Sequence, residues 1–141
     1  MAKNRQKRGQ PAQQVRWSPD EVRAIVREGD YATLVAVAER LGPALKQNDL
    51  STSQIRNVFG EVRRLQSRYD PNRLHMLRPR LAYMAARSPS QGGKILRDVL
   101  TRAILEVFEG QPAEGEQRER FERLVDFFEA ILAYHKAAGG K

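Results

Sequence analysis

The stretch Ser51-Thr52-Ser53-Gln54-Ile55-Arg56-Asn57-Val58-Phe59-Gly60-Glu61-Val62-Arg63-Arg64-Leu65-Gln66-Ser67-Arg68-Tyr69 decides the fold class. Ile55, Val58, Phe59, Val62, Leu65 and Tyr69 recur at helical spacing, so they fall on one stripe of an α-helix. Three hydroxyl residues at its start can each act as the N-cap. Arg56 and Arg63 fall together on one flank, and Arg64 and Arg68 lie on the opposite face. The stretch therefore predicts an amphipathic helix that buries one side and presents arginine elsewhere.

The same period extends in both directions. Upstream, Ser18-Pro19-Asp20-Glu21 is a helix start: Ser18 caps, Pro19 suits the first helical position and Glu21 completes a capping box. Trp17 and Val22 have the spacing of a hydrophobic staple, which makes the single Trp a structural anchor. This short helix stops near Gly29. Asp30 caps a second helix that runs to about Lys46 on Leu34, Val37, Ala38, Leu41 and Leu45, with Gly42-Pro43 expected to kink or split it.

Downstream, Asp70-Pro71 starts a helix striped by Leu74, Leu77, Leu81 and Met84, with Pro79 expected to break or kink it near Arg78. Arg73, Arg80 and Arg87 recur every seven residues along one line of this helix, with Met76 and Tyr83 beside them. Residues 88–93 read as a loop. A fifth helix over about 94–109 has a wide apolar arc and is expected at the centre of the core. After an acidic loop, a last helix over about 116–138 buries Phe121, Leu124, Val125, Phe128, Ile131 and Leu132. Phe127 and Tyr134 lie beyond that stripe and either extend the core edge or form a protomer–protomer interface. No strand alternation and no internal repeat interrupt this pattern. The expectation is an all-α protein, a compact bundle of about five or six helices.

The chain has 141 residues, a length that suits one domain of residues 17–141 behind a disordered basic arm at 1–16. The arm holds Lys3, Arg5, Lys7, Arg8 and Arg16 and no acid, which suits either tracking phosphates or simply keeping the chain in solution. The formal net charge is +8. Eleven bases, ten of them Arg, lie between Arg56 and Arg102 against only Glu61, Asp70 and Asp98. Guanidinium presents a planar fork of donors that matches phosphate, so this block points to a nucleic-acid backbone.

Several chemistries are disfavoured. Cysteine is absent, which removes disulfides, thiol nucleophiles and thiolate metal sites. No apolar run approaches the ~18 residues of a membrane span, and the N-terminus has no signal-peptide stretch, so a cytoplasmic protein is expected with no membrane partner. His75 and His135 are the only histidines, and both read as structural: His135 as a satisfied core or helix-end residue, and His75, which stands beside Arg73 and Arg78 where RNA could reach it, as structural rather than an RNA contact. No metal site, no cofactor and no catalytic residue is expected. Gly92-Gly93-Lys94 is not a Walker loop, because the first Gly is missing and Ile95 replaces the Ser/Thr. A Gly-rich turn entering a helix can still offer N–H groups to phosphate, with Lys94 adding charge.

Three stretches carry a resemblance to a known family: Leu50–Asn57 (LSTSQIRN), Leu77–Arg87 (LRPRLAYMAAR), and Phe127-Phe128-Glu129-Ala130-Ile131 followed by Tyr134-His135-Lys136 and Gly139-Gly140. Together they resemble the small helical subunit of type III-A CRISPR effector complexes, the Csm small subunit, from about residue 50 to the C-terminus. Arg80 stands where relatives often have Lys, which preserves the charge. The resemblance implies a helical bundle that stacks in copies as a filament within a ribonucleoprotein. Such a bundle would contact the backbones of guide RNA and target RNA beside other subunits and would not itself be a nuclease. It carries Arg56, Arg78, Arg80 and Arg87 over as RNA contacts. Arg63, Arg64, Arg68, Lys94 and Arg97 join them from helix geometry alone. The competing reading is a helix-turn-helix DNA-binding regulator, with residues 50–65 as the recognition helix.

Overall fold

The computed structural model describes residues 16–88 and 90–139. Among these residues six helices follow in order: α1 (Pro19–Val26), α2 (Tyr31–Gln47), α3 (Thr52–Ser67), α4 (Pro71–Arg87), α5 (Gln91–Phe108) and α6 (Glu114–Ala137). No strand occurs among the described residues, so the fold is all-α. Apart from Arg16, the expected arm lies outside the described residues.

The helix starts are chemically specified. Ser18 Oγ accepts from the Glu21 N–H while Glu21 Oε1 accepts from the Ser18 N–H, a complete capping box. Ser51 and Gln54 repeat it at α3. Asp30 accepts from the Thr33 N–H at α2, and Asp70 from the Asn72 N–H at α4. Each cap satisfies an otherwise unpaired backbone donor and contributes about 1 kcal/mol.

Neither Gly42-Pro43 nor Pro79 breaks its helix. Proline costs about 3 kcal/mol inside a helix through its missing N–H and its clash with the preceding turn. In α2, Leu41, Ala44 and Leu45 on both sides of Pro43 are buried, and in α4 Leu77 and Leu81 flank Pro79 in the same way. Breaking either helix would expose that surface, so packing outweighs local preference.

The expected 88–93 loop is also shorter than its sequence suggests. Ser90 caps α5 by accepting from the Gly93 N–H, and Gly92 already lies in the first turn. The reason is a close approach. A Cβ on Gly92 would stand 2.7 Å from Leu50 Cβ, so only glycine lets α5 begin against the α2–α3 connection.

One core unites residues of all six helices, from Val22 and Leu34 through Ile55 and Leu74 to Ile95 and Phe121. α5 buries a wide arc, as expected, but α6 is equally central, packing against α1, α2, α3 and α5. Of the two expectations for Phe127, that placement answers to the core rather than to the protomer–protomer interface. Its ring is fully buried inside the chain, so it serves the core and offers nothing to a second protomer; Tyr134 is only half-buried and packs at the core edge.

α6 also closes the ends of two other helices. Arg120 donates to the carbonyls of Glu106 and Glu109 at the C-terminus of α5. Arg123 donates to the carbonyls of Val26 and Arg27 at the C-terminus of α1. Helix C-termini carry unpaired carbonyls and partial negative charge, so a guanidinium answers both. His135 is wholly buried, and its Nε2 lies 2.7 Å from the Leu50 carbonyl. A carbonyl can only accept, so Nε2 carries the proton there. The residue fixes the start of α3 to α6.

Candidate nucleic-acid interface

The arginines between residues 56 and 102 divide into three groups, and α4 separates two of them. Successive residues turn by 100° along a helix, which puts Arg73, Arg80 and Arg87 on the side of α4 facing α3 and Arg78 on the side facing α5.

The first group lies in the groove between α3 and α4. Its main cavity is about 840 Å³, with an apolar floor that includes Val58, Leu77, Leu81 and Met84. It continues into a second cavity of about 340 Å³ through the shared residues Glu61, Met76, Leu77 and Arg80. Five arginines, Arg64, Arg68, Arg73, Arg80 and Arg87, border the two cavities. Glu61 organises the middle of the groove: its Oε2 accepts from Arg64 at 2.7 Å and lies 3.0 Å from Arg80. The Arg64 hydrogen bond, aided by the charge of Arg80, holds the Glu61 carboxyl below the usual carboxylate value. At the upper end Arg87 donates to the Tyr83 hydroxyl at 2.8 Å and lies against the same ring.

The second group lies between α4 and α5, in a groove of about 730 Å³ bordered by Arg78, Arg97 and Arg102 together with Trp17 and His75. The imidazole of His75 stacks on Phe108, with ring centres 3.9 Å apart, which gives it a packing role. Arg97 pairs with Asp98 at 2.8 Å. Arg102 lies 3.1 Å from Glu106, in a geometry too poor for its Nε to donate a hydrogen bond. Glu106 is only 3% exposed and is also hydrogen-bonded by Arg27 at 2.6 Å, so its charge is answered from both α1 and α5.

Arg56 and Arg63 form the third group, on the flank of α3 that faces away from the α3–α4 groove. Arg63 lies over the Phe59 ring, which packs edge-on against Phe128 of α6. Lys94 is exposed on the first turn of α5. The N–H groups that the Gly-rich turn could offer to a phosphate are already taken by the protein itself, as a plain connecting turn would have them. The Gly92 N–H donates to the Asn48 carbonyl and the Gly93 N–H to Ser90.

Charge compensation sorts these residues further. Arg64, Arg80 and Arg97 are tied to acids, whereas Arg56, Arg68, Arg73, Arg78 and Lys94 form no ion pair with any described residue. Arg73, Met76 and Tyr83 belong to the groove although they were not among the expected site residues. The seven-residue repeat of Arg73, Arg80 and Arg87 is the sequence signal for them. Nothing in the sequence signals the Arg27–Glu106 pair, whose members are 79 positions apart. No cluster of three or more potential metal ligands occurs among the described residues, and no described helix is long and apolar enough to cross a membrane.

A small all-helical protein thus carries an arginine-bordered groove on each side of one helix. The chain belongs to the Csm2 Type III-A family, the small subunits of type III-A CRISPR complexes, whose family model matches residues 28–141. The match therefore takes in α2, which lies ahead of the motif stretches that begin at Leu50. No curated protein and no solved structure matches the chain.

Proposed function

We infer that this subunit is a non-catalytic RNA-binding scaffold of a type III-A CRISPR ribonucleoprotein. It stacks in copies along the guide RNA–target RNA duplex and contacts the backbone through its arginines. The observation that carries this reading is the line of Arg73, Arg80 and Arg87 along the α3–α4 groove, in a chain of this family. A-form duplexes hide their base edges in a deep, narrow major groove, so a protein that must hold any sequence does so through phosphates and riboses. The proposed contacts are Arg56, Arg63, Arg64, Arg68, Arg78, Arg80, Arg87, Lys94 and Arg97, with Arg73 added from the groove. Antiviral action and a cytoplasmic location follow from the same reading.

The experiment is a salt titration of binding to two RNA duplexes of unrelated sequence, by the isolated chain and by the assembled complex. Equal affinities and a steep salt dependence are expected. Replacing Arg73, Arg80 and Arg87 with Gln should flatten the slope of log K against log salt by about 0.7–0.9 for each phosphate that is no longer neutralised. A strong sequence preference, or an unchanged slope, would overturn the proposal.

No observation favours the regulator reading. Its recognition helix, α3, is flanked by α4 and α6. Gln54, an amide on that helix that a base could meet, has its carbonyl oxygen engaged in the Ser51 cap.

A further inference from the structure

The α3–α4 groove has a feature that backbone contact does not use. Tyr83 and Met76, two large side chains on its α4 rim, are 63% and 58% exposed. They stand about two turns apart beside Arg80, above an apolar floor that includes Val58, Leu77 and Met84. A duplex presents phosphates and riboses at its surface and keeps its base faces stacked inside. A helix rim of arginine alone would serve it, and an exposed aromatic ring would gain nothing.

The geometry points to an unpaired nucleotide of RNA as the ligand of this groove, its base stacked on Tyr83 and its flanking phosphates held by Arg73, Arg80 and Arg87. The assignment rests on the RNA-binding reading above and narrows it from duplex backbone to a base that has left the stack. Three observations agree. At about 840 Å³ the main cavity is large enough for a nucleotide. The Tyr83 ring is held in place by the Arg87 hydrogen bond to its hydroxyl, so little side-chain freedom is lost on stacking. The only acid bordering the main cavity is Glu61, and two guanidiniums already neutralise it. The surplus of positive charge favours a polyanion over an apolar or basic protein segment.

The test uses the full chain and three labelled probes of equal length: a single-stranded RNA, the matching duplex, and an abasic ribose-phosphate strand. The single strand should bind about tenfold more tightly than the abasic strand, the gain typical of stacking one base. Tyr83→Ala should abolish that difference and should weaken duplex binding less than it weakens single-strand binding. Tyr83→Phe should keep most of it, since the ring remains and only the hydroxyl that tethers it to Arg87 is removed. Equal binding of intact and abasic strands, or a Tyr83→Ala chain that binds all three probes as before, would overturn the assignment and leave the phosphate-contact reading standing. A Tyr83→Ala chain that keeps RNA binding but fails to join the other subunits would overturn it in favour of a protein interface. Failure of the wild-type chain to bind any probe at low salt would overturn both readings together.

Discussion

Gly42 of α2 lies so close to Tyr134 of α6 that a Cβ on the glycine would stand 2.5 Å from the tyrosine Cβ and 2.6 Å from the His135 nitrogen. Two helices touch here backbone to backbone, across about ninety residues of sequence. The contact explains why a glycine occupies the interior of α2.

Gly42→Ala is therefore destabilising although alanine is the better helix former. The neighbouring atoms are backbone and Cβ and cannot move aside, so about 1–3 kcal/mol is expected from overpacking. Gly60→Ala has the opposite sign. Nothing lies within 4 Å of its added methyl, so the mid-helix gain of about 0.5–1 kcal/mol is realised. Urea denaturation of both variants checks the pair, and stabilisation by Gly42→Ala would refute the close approach.

Arg120→Met removes the donor that closes α5. The carbonyls of Glu106 and Glu109 are left without their partner, and a destabilisation of about 1–3 kcal/mol follows. Arg118→Met, two positions earlier, removes an exposed pairing with Glu122 at 3.8 Å and a contact over the Tyr69 ring, and should change stability by less than about 1 kcal/mol. Thermal unfolding of the two variants side by side separates a capping guanidinium from a solvated one.

Alkaline pH should loosen the fold through two tyrosines. Burial, with a hydrogen bond to Asp126, pushes the Tyr31 hydroxyl up to about 12. Burial also pushes Tyr69 up to about 12, against the pull of the nearby Arg118. The unfolded chain releases these protons near the ordinary value of 10.0, before the folded chain does, so rising pH favours unfolding. The stabilisation is complete below pH 10 and is lost as pH climbs through 12. Stability measured between these limits should fall less steeply for a Tyr31→Phe, Tyr69→Phe double variant.

Glu61→Gln probes the groove from the acidic side. It frees Arg64 and Arg80 from their shared carboxylate and removes a negative charge facing the proposed ligand. RNA affinity should rise severalfold and its salt dependence should steepen, at little cost in stability because both guanidiniums are largely exposed. Weaker RNA binding would mean that Glu61 positions these arginines more than it opposes the phosphates. Lowering the pH acts in the same direction: the carboxylate's contribution is present above the ordinary value and lost as pH falls through its depressed one.

The helix starts are legible in the sequence because capping is local: Ser18, Asp30, Ser51 and Asp70 each act within three residues of themselves. The positions where sequence and structure differ share another cause. Gly92, Pro43 and Pro79 have intrinsic preferences that argue against helix, and each is overruled by contacts with or burial against distant elements. Phe127 falls outside the expected stripe because a stripe drawn from periodicity assumes that a helix is covered on one side. α6 is covered by four other helices, so its buried arc is wider. For the candidate site, the repeat of Arg73, Arg80 and Arg87 can be read directly. Which arginines are already spoken for cannot, since Arg80 meets Glu61 from another helix and Glu106 draws Arg27 across from α1.

The reach of Arg120 and Arg123 has a consequence for how the chain is made. Synthesis delivers α1 first and α6 last, yet the carbonyls at the end of α1 find their donor only on α6, almost a hundred residues later. The nascent protein cannot finish its helices one at a time as they leave the ribosome. Two of them, α1 and α5, wait for their carbonyl partners until the sixth emerges, so a chain cut short before Arg120 leaves both of those ends unsealed.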